Sequence, residues 1–244
     1  MIEFLGEVAD WFGDPVNWQG IDGIPNRLWE HFQMTMFSMV IAAVIAILPA
    51  IVLAHKKIGG VFVVAVVNIG RAVPSFAIVA IALPISIRLG LGLGFWPTLL
   101  ALVFLAVPPM FSNTYAGVSG VDAALVEAGR GMGLTEYQTM FRIEVPVAMP
   151  VIVAGARIAT VQVIATATLG ALVAWGGLGR YIIDGFATQN APEVFAGGIL
   201  VALMAIGAET LFSLYERTTY SARLRRRSVG TADEGIVVVE SVPH

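Results

Sequence analysis

The sequence contains no cysteine, which removes disulfides, thiol nucleophiles and thiolate metal sites together. Its three histidines, His31, His55 and His244, are scattered and form no His-Glu-x-x-His pattern, so no metal centre is expected. Lysine is confined to Lys56 and Lys57, and neither precedes Ser or Thr, so the chain has no Walker A phosphate loop. If ATP drives this protein, another chain binds it. Charge is scarce: 13% of the 244 residues are charged, against about 25% in an average soluble domain. So few charges do not cover the surface of a compact soluble globule. The hydrophobic residues make up 57% of the chain, gathered in long runs, with a mean hydropathy of +0.83. That composition belongs to a bilayer and excludes a soluble enzyme. A net charge of −3, with no basic stripe beyond a short one near the C-terminus, excludes nucleic acid as a partner. The N-terminus is acidic (Glu3, Glu7, Asp10, Asp14) and lacks a basic region, so a cleaved signal peptide is not expected there.

The apolar runs divide the chain. The first charge-free run, 34–54, is closed by His55-Lys56-Lys57. The next, 58–87, is too long for one straight helix and carries Arg71 and Pro74. It reads as an interfacial lead-in helix at 58–70 and a second span at 72–88, because a charge beside a proline is tolerated at a membrane boundary. A third span at 96–118 has Pro97 in its first turn and is kinked at Pro108-Pro109. The fourth and fifth lie at 147–171 and 194–215. With the N-terminus outside, Lys56, Lys57, Arg130, Arg142, Arg217, Arg223, Arg225, Arg226 and Arg227 fall inside, and Arg71 joins them. Only Arg27, Arg88 and Arg180 fall outside, as the positive-inside rule requires. The expectation is an all-α integral membrane protein with about five transmembrane helices, N-out and C-in. Residues 1–30, with Trp11, Trp18 and Trp29, read as an outer interfacial segment placing indoles at headgroup level. Residues 31–217 form the membrane domain and 218–244 a cytoplasmic basic tail, disordered after Ser228 despite the apolar run at 236–239.

The inner loop at 121–146 carries structural signals of its own. Asp122 is placed to N-cap a short helix over 123–132. Gly133 followed by Leu134 fits a left-handed stop, with the apolar side chain packing back. Thr135 then opens a second helix, and Gln138 stands where a capping box needs it. Glu136 suits the first turn of that helix, and Pro146 ends the pattern. Leu125, Ala128 and Met132 form one stripe, and Tyr137, Met140 and Phe141 another. Such a hairpin either lies on the headgroups or docks as a rigid peg into a soluble partner.

Glu127-Ala128-Gly129, then Gly133, then Ile143-Glu144-Val145-Pro146 resembles the EAA loop of ABC-importer membrane subunits. This chain departs from that pattern at Gly129, where a second Ala is usual, and at Val145, where Leu is usual. Asn68-Ile69-Gly70-Arg71-Ala72-Val73-Pro74 and Gly176-Gly177-Leu178-Gly179 resemble type I permeases of the osmoprotectant (glycine betaine, carnitine, choline) uptake systems. Methionine-importer permeases are similar at the same places; the run 157–179, ending Ala174-Trp175-Gly176-Gly177, leans to the osmoprotectant group. The resemblance extends over about residues 29–217. It implies a type I importer permease (MetI-like) fold with a cytoplasmic coupling helix, in the bacterial inner (plasma) membrane. It also implies two ATPase subunits carrying ATP-Mg, a second permease subunit, identical or paralogous, and an external substrate-binding protein. This chain would itself hold no cofactor and no catalytic residue. Coupling to the ATPases falls to Asp122, Glu127, Ala128, Gly129, Gly133, Leu134 and Thr135.

Charged and polar residues inside the spans leave two readings open. Arg157 and Glu209 are either a structural pair between adjacent helices, or Arg157 lines the substrate path. Gly155, Ala159, Gln162, Thr166 and Gly170 form one small, weakly polar face, suited to close helix packing or to a conduit wall. Trp175 is an interfacial tryptophan or a cation–π contact for a quaternary ammonium. Gly176, Gly177 and Gly179 offer flexible backbone for an outer gate, or are a plain connector. A self-contained secondary transporter would need an inverted repeat that the sequence does not display, and an intramembrane enzyme would need a catalytic dyad in the spans.

Overall fold

The computed structural model describes residues 1–70 and 73–233, with the side chains of 61, 66 and 220–233 excepted. Helix α1 (Ile2–Gly13) is followed by a 3-10 turn at Pro15–Trp18 and by α2 (Ile24–His55). Next come α3 (Gly60–Ile69), α4 (Ser75–Arg88) and α5 (Phe95–Ser119). The loop helices α6 (Ala123–Gly131) and α7 (Glu136–Thr139) lead through a π turn, Met140–Glu144, into α8 (Val145–Thr166). A 3-10 segment (Ala167–Val173), α9 (Gly179–Thr188) and α10 (Ala191–Asp233) complete the described chain.

Among the described residues, four helical segments are long and apolar enough to cross a membrane: Ile24–His55, Phe95–Ser119, Glu136–Val173 and Ala191–Thr219. The expected second span is realised as α4, whose 14 residues reach about 21 Å at 1.5 Å per residue. That is shorter than a hydrocarbon core of about 30 Å. Pro74 is the reason: it N-caps α4 and bars a helix from running through from α3. The expected lead-in helix is α3; Arg71 and Ala72 lie outside the described residues. Helix α2 starts at Ile24, well before the apolar run, because Pro25 sits in its first turn and Arg27 and Glu30 pair with each other, 2.8 Å apart. The C-terminal backbone is helical as far as Asp233, and residues 234–244, with the run at 236–239, lie outside the described residues.

Helix α5 is the hub, packed against α2, α8, α4 and α3. A stripe of small residues on α2, Ser38, Ala42, Ala46, Ala50 and Ala54, is buried throughout. Small side chains at four-residue spacing let the backbones approach closely, and van der Waals contact then replaces contact with lipid. Leu102, Ala106 and Met110 of α5 and Ala159 and Val163 of α8 complete this core. The opposite side of α2 exposes Phe37, Val40, Val44, Ile45 and Leu48, an apolar surface suited to lipid. Helix α5 runs continuously through Pro108 and Pro109.

Candidate functional site

Every turn of the loop between α5 and α8 is closed by a local hydrogen bond. The Asp122 carboxylate accepts from the Ala124 amide at 2.9 Å and caps α6. At the other end of α6, the Leu134 amide donates to the Gly129 carbonyl at 3.2 Å, and the Gly133 amide to Arg130 at 2.9 Å. With Gly133 at φ +83°, this is a Schellman stop. Thr135 opens α7 with a full capping box: its hydroxyl accepts from the Gln138 amide, and its own amide donates to the Gln138 side chain at 2.9 Å. Gly129 is buried where α6 meets the next helix, and a Cβ there would overlap Ile143 Cδ1. Replacing the usual Ala by Gly therefore seats Ile143 against α6. Glu127 and Ala128 lie on the exposed side, with Met132 76% and Tyr137 69% exposed.

Pro146 does not end the second helix. The π turn Met140–Glu144 precedes it, and the Val145 amide reaches back to Met140 O. A proline supplies no amide and crowds the carbonyl four residues earlier, and the wider turn absorbs both effects. The chain is consequently helical from Glu136 into the span. The π turn also buries the Glu144 carboxylate, 2.7 Å from His55 Nδ1 at the end of α2. His55 Nε2 lies 3.2 Å from Glu136 Oε2, which also accepts from Arg130 Nη2 at 2.9 Å. That bond to the Glu136 carboxylate holds the Arg130 guanidinium above its ordinary pKa. A polar cavity of about 170 Å³ lies beside this network, lined by His55, Glu127, Arg130 and Glu144 among others.

Within the spans, the Arg157 guanidinium on α8 pairs with Glu209, and its Nη1 lies 3.0 Å from Glu216 Oε2; both carboxylates are on α10. Gly155 packs α8 against Asn113 and Pro109 of α5, Ala159 is buried, and Gly170 abuts Thr98. Those three positions are helix contacts. Gln162 and Thr166 are half-buried, and Gln162 Oε1 is buried without a hydrogen-bond partner among the described residues. Trp175 packs edge-on against Phe95, with ring centroids 5.3 Å apart, and its Nε1 is likewise buried without a partner.

At the far end of the bundle the glycine run is closely packed. The Gly177 amide donates to Glu30 Oε2 at 2.8 Å, at φ +79°. A Cβ on Gly176 would strike the Glu30 carboxylate, and one on Gly179 would strike the Thr168 carbonyl oxygen. Leu178 is fully buried. Buried His31 on α2 makes a 2.9 Å hydrogen bond from Nε2 to the Ile164 carbonyl. Tyr181 donates to the Asp22 carbonyl at 2.6 Å, and burial pushes its phenol pKa up to about 12.

Sequence reasoning missed His55 as a member of the loop network, Glu30 and His31 as the clasp on the glycine run, and Glu216 as the second partner of Arg157. His55 stood only as the end of an apolar run. The signal available was a histidine at the mouth of one span and an isolated Glu at the base of another. Among the described residues, no group of three or more His, Cys, Asp or Glu side chains is placed to hold a metal ion.

Residues 42–219 match the family described as "Binding-protein-dependent transport system inner membrane component". A carnitine transport permease protein, OpuCD, of Listeria monocytogenes is 36% identical over 210 residues, covering 86% of this chain and 92% of that one. A choline transport system permease protein, OpuBB, of Bacillus subtilis is 33% identical, covering 82% and 90%. The solved inward-facing MetNI methionine ABC transporter contains a chain of the same fold. Its TM-score is 0.70 at 24% identity, and the match covers 84% of this chain and 98% of that one.

Proposed function

This chain belongs to the family of binding-protein-dependent transport system inner membrane components, and from that premise we propose that it is the membrane-spanning subunit of an ATP-driven importer for a quaternary-amine osmoprotectant. Glycine betaine, carnitine and choline are the candidate substrates, which the names of its relatives carry. One observation carries the coupling part of this reading: the doubly capped helix–Gly133–helix loop at one end of the bundle. A loop closed at every turn transmits a push, whereas a flexible one absorbs it.

Two ATPase subunits, each holding ATP-Mg, dock on this loop and on the corresponding loop of a second permease subunit, identical or paralogous. The exposed side chains of Leu125, Met132, Tyr137 and Phe141 offer them apolar contact, and Glu127 offers charge. Closure of the ATPases on ATP draws the two loops together and rotates the spans, opening the conduit toward a docked external binding protein. Gln162, Thr166 and Trp175 line that conduit; the unpartnered Gln162 Oε1 and Trp175 Nε1 support this, since each is a polar atom with hydrogen-bonding capacity to spare. Gly176 and Gly177, clasped by Glu30, and Gly179, packed on the Thr168 backbone, close its outer end. Arg157, held by two carboxylates, positions α8 against α10 beside the path.

The test is uptake into proteoliposomes holding this chain, its ATPase and its binding protein. Labelled glycine betaine, carnitine or choline is expected to accumulate only with ATP, with methionine excluded. Accumulation without the ATPase would overturn the reading, and uptake of methionine alone would reassign the substrate.

A further inference from the structure

We propose that His55 is the positioning residue that ties the coupling loop to α2, so that movement of the loop is carried into a span that the loop's own chain does not continue into. The inference rests on the permease reading above and adds to it a route. The loop runs covalently into α5 and α8, which explains how those helices follow it. Helix α2 ends at His55, far along the chain from Glu136 at the start of α7.

The imidazole supplies the join. Nδ1 lies 2.7 Å from Glu144 Oε2 in the π turn, and Nε2 lies 3.2 Å from Glu136 Oε2 at the start of α7. Glu136 passes the contact on to Arg130 of α6. One ring therefore touches the base of α8 and the second loop helix, and through Glu136 the first. The two contacts differ in character. Glu144 is buried, and a buried carboxylate that lost its donor would be costly, so that contact is an anchor. Glu136 is exposed and shares its oxygen between His55 and Arg130, so that contact exchanges at little cost. The cavity of about 170 Å³ bordered by His55, Arg130 and Glu144 leaves room for the ring and the loop to shift. An anchored side chain with one exchangeable contact and space beside it suits a moving joint better than a static brace.

The two nitrogens are separable by substitution. In His55→Asn the amide takes the place of Nδ1, keeping the buried Glu144 bond and losing Glu136. Glu136→Ala removes the same contact from the exposed side. The experiment measures uptake of labelled glycine betaine per ATP hydrolysed, in proteoliposomes holding the complete transporter with its binding protein. Expected is normal assembly of both variants and a fall of about tenfold in uptake per ATP, the scale of coupling between residues of one hydrogen-bonded network. The double variant should be no worse than either single one. Wild-type uptake per ATP in His55→Asn would overturn the inference, as would losses that multiply in the double variant. If His55→Asn does not assemble, Glu136→Ala decides alone, and normal coupling in it overturns the joint. A wild-type transporter without ATP-dependent uptake would instead sink the permease reading, and this inference with it.

Discussion

Gly133, Gly129 and Gly179 lack side chains for three different reasons, and substitution separates them. At Gly133 a Cβ would meet open space, so the only obstacle is the positive φ. Gly133→Ala is expected to cost about 1–2 kcal/mol of backbone strain, seen as a small drop in thermal midpoint with assembly intact. At Gly129 the obstacle is the far end of Ile143, a side chain that can turn away. Gly129→Ala should therefore assemble normally and keep transport, as a second Ala at this place in related loops suggests. At Gly179 the obstacle is the Thr168 backbone carbonyl, which has nowhere to go. Gly179→Ala should lower the yield of folded protein in the membrane far more than either of the others. A Gly179→Ala protein as stable as wild type would mean that the glycine run is not clasped as described.

Between elements, the join that decides most is Arg157 of α8 with Glu209 and Glu216 of α10. Arg157→Ala takes from the Glu209 and Glu216 carboxylates of α10 the cation they share, so the amount of assembled protein should fall. Replacing Glu209 and Glu216 by Gln in the same chain removes the stranded charge and should restore assembly. Uptake by that restored triple variant then tells whether Arg157 only positions α10 or also meets the substrate. How far such features were legible depended on their range along the chain. The caps at Asp122 and Thr135 and the stop at Gly133 were legible because each is a bond over a few residues with a compositional signature. The spans were legible because apolar runs are. His55 with Glu144 and Glu30 with Gly177 were not, because their partners are 89 and 147 residues away and nothing local marks them. The π turn escaped for another reason: Pro146 carries the signature of a helix break, and only the packing of Glu144 against α2 shows how the chain continues past it. The length of α4 escaped because hydropathy continues across Pro74 where the helix does not.

For the molecule as a whole, α5 is the common wall and the two ends of the bundle differ in kind. One end is a polar network of Glu144, His55, Glu136 and Arg130 under a capped loop. The other is a clasp in which Glu30 and His31 of α2 hold the glycine run and the end of α8. Both involve α2, so a displacement imposed on α2 at His55 arrives along the same helix at the clasp formed by Glu30 and His31. Glu30→Ala should loosen that closure, raising leak of labelled substrate from loaded proteoliposomes in the absence of ATP. The central claim is that the loop at 121–146 converts ATPase motion into transport. The measurement closest to it is ATP-dependent uptake of labelled glycine betaine by the complete transporter carrying Glu127→Lys, with membrane-inserted protein quantified in the same vesicles. Uptake should be abolished while insertion is unchanged; full uptake by that variant would contradict the account.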